Sequence, residues 1–150
     1  MARRPIPTWF FVLAVVRKGH RFLLVHERKH GQRWYLPAGR VEPGESLVEA
    51  VQRETLEESG VRITVDGIVR VEHSASADGT RVRVIYTAHP IDDAEPGKTE
   101  DSLGAAWVTL EEMEQLPMRG PEVQDLFEYV AGGGLVVPPS IVVPEGAPYR

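Results

Sequence analysis

No cysteine occurs in the chain, which excludes disulfides, thiolate catalysis and cysteine-ligated zinc. That absence suits a reducing cytoplasm, the expected location. Nor is there an excess of basic charge: 17 Lys and Arg stand against 22 Asp and Glu, for a net charge of −5. A dedicated nucleic-acid binder needs a basic patch for its phosphate contacts, so DNA and RNA are not expected partners. A small phosphorylated ligand is still compatible, because a divalent cation bridges acidic side chains and phosphate oxygens. Long apolar runs are missing too. The longest, residues 9–16, is far too short to span a bilayer, and no membrane partner is expected. It follows Arg3 and Arg4 as a signal peptide would, but no small-residue cleavage site comes after it, and Arg17, Lys18 and His20 do.

What remains is an ordinary globular composition, 42% hydrophobic and 26% charged over 150 residues, sized for one domain. Residues 9–16 and 22–25 read as strands joined by a turn at Lys18-Gly19-His20. Residues 26–33 read as a polar loop, 34–36 as a brief apolar run stopped by Pro37, and 38–45 as a Gly/Pro-rich loop. A helix follows. Ser46 is its N-cap, Glu49 completes a capping box, and Gly60 ends it. Glu49 and Arg53 stand one turn apart in the favourable order for an ion pair. Residues 61–71 read as strand with a turn at Asp66-Gly67, and Asp78-Gly79 as a hairpin turn. Residues 81–88 alternate, with Val82, Val84 and Tyr86 on one face and Arg81, Arg83 and Ile85 on the other. An acidic loop (90–101), a last strand (105–108) and two short helices (110–116 and 121–130) complete a domain placed at 1–131. Residues 132–150 form a Gly/Pro-rich tail, either loosely held or packed as an arm on its own domain or a partner subunit.

Glu54, Glu57 and Glu58 stand at i, i+3 and i+4, on one helical face. Like charges so placed destabilise an isolated helix by a few tenths of a kcal/mol per pair. Arg53 beside them offsets that, as does a bound divalent cation, for which clustered carboxylates are good ligands. An acidic helix face is most often only solvated; the spacing of its neighbours argues otherwise. Residues 39–61 read GRVEPGESLVEAVQRETLEESGV. Gly39, Glu45, Arg53, Glu54, Glu57, Glu58 and Gly60 fill all seven fixed positions of the pattern G, five residues, E, seven residues, R-E-U-x-E-E-x-G-U, where U is bulky and aliphatic. At roughly one residue in fifteen per position, chance gives on the order of one match in a hundred million starts. Thr55 departs from the first U position; a buried threonine there needs its hydroxyl bonded back to the helix.

The segment resembles the Nudix box, and the likeness extends over about residues 8–131. It implies the Nudix fold, an α/β/α sandwich with a mixed central sheet, and metal-dependent hydrolysis of a nucleoside diphosphate linked to a further group. In that family's pattern Glu54, Glu57 and Glu58 hold Mg2+, with Mn2+ as a substitute. Arg53 orients them, Glu45 supports the site, and the backbone carbonyl of Ala38 helps hold the metal. Some members add a carboxylate before the last strand, where Glu100 and Asp101 stand seven and six residues ahead of Trp107. The general base is either one of these or Glu54. Arg28 and Arg40 are the candidate phosphate contacts, and Gly39 lets backbone approach the ligand. His26, Arg81, Arg83, Tyr35 and Tyr86 are weaker candidates, for which solvent-facing or core roles are the expectation. Many relatives are dimers, so a homodimer is compatible.

Residues 34–45 and 102–108 are similar to members of this family that hydrolyse oxidised guanine nucleoside diphosphates. NDP-sugars and ADP-ribose are alternatives, though no proline lies between Val61 and Pro90, where ADP-ribose enzymes commonly carry one. A non-catalytic nucleotide sensor is the rival of another class; such proteins usually lose box carboxylates, and this chain keeps them all.

Overall fold

The computed structural model describes residues 2–150. Its strands are β1 (Thr8–Lys18), β2 (Arg21–Glu27), β3 (Trp34–Tyr35), β4 (Ala38–Arg40), β5 (Ile63–Ser76), β6 (Gly79–Pro90) and β7 (Ser102–Val108). Its helices are α1 (Leu47–Ser59), α2 (Leu110–Met113) and α3 (Glu122–Ala131). The strands form one mixed sheet in the order β3-β2-β1-β6-β5, with β4 also on β1 and β7 also on β2. β1 and β6 run parallel from Thr8 opposite Thr80 to Val16 opposite Ala88.

β1 lies at the middle of a sandwich, so both of its faces are buried. This is why it reads as an unbroken apolar run instead of alternating. Val12, Ala14 and Val16 join Val84 and Tyr86 of β6 beneath Ala50 and Val51 of α1. Leu13 and Val15 join Ile85 of β6 on the other face, beneath Val123 and Phe127 of α3. The expected split of β6 into two faces holds, and Tyr86 is a core residue.

α1 has both expected terminal devices. The Ser46 hydroxyl accepts from the Glu49 N–H while the Glu49 carboxylate accepts from the Ser46 N–H. Gly60 closes the helix at φ 79°. Thr55 is fully buried and donates its hydroxyl to the Val51 carbonyl at 2.7 Å, which satisfies the polar group where the motif has an aliphatic residue.

Three local readings are corrected. Residues 38–40 are strand, not loop: Ala38, Gly39 and Arg40 pair with Leu13, Val12 and Phe11. Asp66-Gly67 makes no turn; β5 runs through it with a register shift against β6, the behaviour of a bulge. Arg53 does not pair with Glu49, which the capping box already holds; it turns to other acids. The tail is partly packed on its own domain. Val137 and Ile68 exchange both backbone hydrogen bonds, at 2.8 and 2.9 Å, so the tail adds to the outer edge of β5. Among the described residues, no helix is long and apolar enough to cross a membrane.

Removing residues 135–150 should destabilise the chain by about 2 kcal/mol, from two backbone hydrogen bonds at about 1 kcal/mol each. Faster hydrogen exchange confined to the Ile68 amide and its neighbours, together with a lower melting temperature, is the expected outcome. Unchanged protection of Ile68 would show that the tail does not hold the edge.

Candidate active site

A cleft of about 680 Å³ collects the acids of α1. Glu54, Glu57 and Glu58 line it from the helix, Glu27 from the end of β2, and Glu100 and Asp101 from the loop before β7. The same cleft is lined by Arg81 and Arg83 of β6 and by Arg119, which lies between α2 and α3. Two of these guanidiniums lie over aromatic rings: Arg81 over Phe11 at 4.7 Å and Arg119 over Tyr35 at 4.4 Å from the centroid. Arg83 donates to the Tyr35 hydroxyl at 3.2 Å. Acids that suit a cation and arginines that suit phosphate oxygens therefore share one space.

Arg53 organises the acidic side. Its Nε and Nη2 fork onto the Glu45 carboxylate at 2.6 and 3.0 Å. Its Nη1 reaches Glu54 at 2.9 Å and Glu57 at 3.2 Å, and Nη2 also reaches the Arg40 carbonyl at 3.1 Å. One cation thus holds three carboxylates, and the loop carrying Glu45 is tied to the helix. The Arg53 bonds, with help from the Glu42 N–H, hold the Glu45 carboxyl below its usual range.

Glu54 and Glu58 respond differently. Burial pushes Glu54 up, against the bond from Arg53. Burial pushes Glu58 up to about 8, against the 2.9 Å bond that it accepts from the Ala38 N–H. The negative charges of Glu54, Glu27 and Asp101 raise it further. Glu27 is raised by burial, against the attraction of Arg119. Burial is thus the main reason Glu58 holds its proton, and the neighbouring acids add to it.

Gly39 faces α1. A Cβ there would overlap the Glu54 carboxylate, so the absent side chain lets the helix bring that acid against β4. Glu45 and Arg40 do not line the cleft; both border a separate pocket with Trp9 and Val41. Glu45 reaches the cleft through Arg53 and through the Glu42 N–H, and Arg40 through its carbonyl. Arg28 lines the cleft, but its guanidinium donates to the carbonyls of Glu100 and Thr99. His26 stacks on Trp34 at 4.8 Å and lies 2.9 Å from the Gln32 carbonyl. Glu27 and Arg119 escape the sequence reading. Glu27 follows the apolar run Phe22–Val25 at the polar end of its strand and has the signal of a solvent-facing residue. Arg119 sits between two short helices with no pattern around it.

The donor set fits a hard divalent cation: carboxylates from α1, β2 and the loop before β7 line one cleft. Among the described residues, however, no three acid or histidine side chains close around a single point. Arg53 draws Glu54 and Glu57 to itself and the Ala38 N–H holds Glu58, so the carboxylates line the cleft without forming a cage.

A glycine-led loop and acidic helix, set against a mixed sheet, define the class of fold and site. The NUDIX domain model matches residues 8–130, and the chain belongs to the Nudix hydrolase family. The human 8-oxo-dGDP phosphatase NUDT18 is 36% identical over 128 residues, which are 81% of this chain and 38% of that protein. The chain thus spans well under half the length of that relative. The Escherichia coli phosphatase NudJ is 32% identical over 126 residues, 81% of this chain and 82% of that protein. A NUDIX hydrolase from Nitrosomonas europaea superposes with a TM-score of 0.77 at 27% identity, covering 94% of this chain and 100% of that one.

Two outcomes follow from the geometry. Between the ordinary carboxyl value of 4.5 and about 8, folded metal-free protein keeps a proton on Glu58 that the unfolded chain has lost. Native protein then binds more protons than unfolded, so stability falls as pH rises through that window. Thermal melts in chelator should show a lower melting temperature at about pH 8 than at about pH 5.5, and Glu58→Gln should flatten the difference. Gly39→Ala should displace Glu54 and lower kcat at least about tenfold while circular dichroism shows the fold retained. Wild-type kcat in that variant would mean Glu54 has room to spare.

Proposed function

We propose that the chain hydrolyses a phosphoanhydride bond in a nucleoside di- or triphosphate, with Mg2+ as its metal and Mn2+ as a substitute. The observation that carries this reading is the meeting of Glu54, Glu57, Glu58, Glu27 and Asp101 with Arg81, Arg83 and Arg119 in one cleft.

Glu54, Glu57 and Glu58, with the Ala38 carbonyl, would hold the metal. A divalent cation bound there neutralises phosphate oxygens and lowers the pKa of a coordinated water. A cation held there would favour the charged form of Glu58 and so displace its proton. Arg53 keeps Glu54 and Glu57 on the cleft side of α1. Arg81, Arg83 and Arg119 line the cleft and would meet the diphosphate there, aligning the phosphorus for in-line attack by water. Water forms the new P–O bond as the anhydride P–O bond breaks, and a cleft carboxylate, Asp101 or Glu54, takes the proton. Positioning and electrostatics supply most of the rate.

The favoured substrates are guanine nucleotides, oxidised forms included, on the likeness to NUDT18 over 81% of the chain. A panel with Mg2+ and then Mn2+, covering 8-oxo-dGDP, dGDP, the triphosphates, ADP-ribose and NDP-sugars, is the test. Expected are turnover that chelator abolishes, a preference for the guanine diphosphates, and a fall in kcat of about a thousandfold or more in Glu58→Gln. No metal-dependent turnover of any nucleotide would overturn the reading. Preference for an NDP-sugar would keep the chemistry and replace the substrate.

A further inference from the structure

We infer that Arg28 is a positioning residue: it fixes Asp101 at the cleft and acts on the reaction through that carboxylate, not through the substrate's phosphates. The inference rests on the hydrolytic reading of the cleft given above.

Arg28 directly follows β2, whose last residue, Glu27, pairs with Ser102 at the start of β7. The ladder thereby places Arg28 beside the turn 99–102. That turn is closed from within: the Asp101 N–H donates to the Thr99 hydroxyl at 3.1 Å, and the Thr99 N–H donates to the buried Ser102 hydroxyl at 3.3 Å. Closure fixes the shape of the turn, and the pairing of Glu27 with Ser102 fixes its far end. The stretch ahead of it, residues 91–98, has no regular structure. The Gly97 N–H ties the approach to the Ser59 carbonyl at 3.1 Å, and Arg28 adds a restraint on the turn itself. Its Nε donates to the Glu100 carbonyl at 3.1 Å and its Nη2 to the Thr99 carbonyl at 3.2 Å. A planar fork spanning two successive carbonyls restrains both distance and orientation, which one flexible donor does not. Asp101, next to those carbonyls in the chain, lines the cleft with Glu58. A guanidinium engaged twice with backbone has lost much of its freedom to turn onto a phosphate.

The test is a double-mutant cycle on the full chain with the best nucleotide of the panel. Arg28→Ala should lower kcat about tenfold or more, with KM changed less than about twofold. Asp101→Asn should lower kcat as well, and the double variant should be no slower than Asp101→Asn alone. Independently of activity, the Thr99 and Asp101 amides should exchange hydrogen faster in ligand-free Arg28→Ala than in wild type. Arg28→Met, which keeps the aliphatic stem, repeats the measurement should the alanine variant be poorly folded. Four results would each overturn the inference: unchanged kcat in Arg28→Ala, a rise in KM at constant kcat, wild-type kcat in Asp101→Asn, or full additivity in the double variant. Full activity in Glu58→Gln sinks the reading of the cleft and this inference with it. An inactive Glu58→Gln beside an Arg28→Ala of unchanged kcat sinks this inference alone.

Discussion

Crowding of carboxylates in one cleft shapes the acidic end of this molecule. Three glutamates on adjacent turns of α1 strain the helix that carries them, and Glu27 and Asp101 add charge from two other elements. Arg53 relieves part of this by holding Glu45, Glu54 and Glu57 together. It stands only 27% exposed, so the surrounding water screens these contacts less than it would on an open surface. Glu58 lies beyond Arg53's reach, with the Ala38 N–H as its hydrogen-bond partner. Burial therefore keeps a proton on that carboxyl in metal-free protein, and a bound cation would displace it.

The sheet decides which residues attend that carboxyl. β4 pairs with β1, and this brings Gly39 against Glu54 and the Ala38 N–H against Glu58. β2 pairs with β7, and this sets Glu27 and Arg28 beside the turn that carries Asp101. The box motif is usually described as a loop and a helix. In this chain, its first residues are also a strand, and register along that strand aligns loop and helix to within a hydrogen bond.

Much of the helix was legible from residues 39–61 because its signals are local. Capping box, C-terminal glycine and the back-bonded Thr55 each involve partners at most four residues apart. The two faces of β6 were legible for the same reason. The hydrogen bonds of Arg28 were not. An arginine after a strand reads as a free phosphate contact, and only the β2–β7 ladder shows it bonded to carbonyls more than seventy residues away. Arg119 and Glu27 form an ion pair at 3.3 Å across a similar separation, and nothing in their neighbours along the chain announces it. Strand at 38–40 was hidden by Gly39, whose composition suggests a loop while its lack of a side chain serves the approach of α1. The tail's contact with Ile68 was likewise invisible, since a single bridge on a sheet edge leaves no periodicity.

The parallel ladder between β1 and β6 has a consequence for biogenesis. Residues 8–16 acquire this partner only when residues 80–88 are available, and parallel strands cannot be joined by a tight hairpin. During synthesis the most apolar strand of the chain must therefore wait, unpaired on that side, while the helix and β5 emerge. Such a wait exposes sticky surface and makes the pairing late and slow. The turn bearing Asp101 emerges later still. On the ribosome the helix can form well before the cleft does, so the nascent chain carries its acids before it can use them.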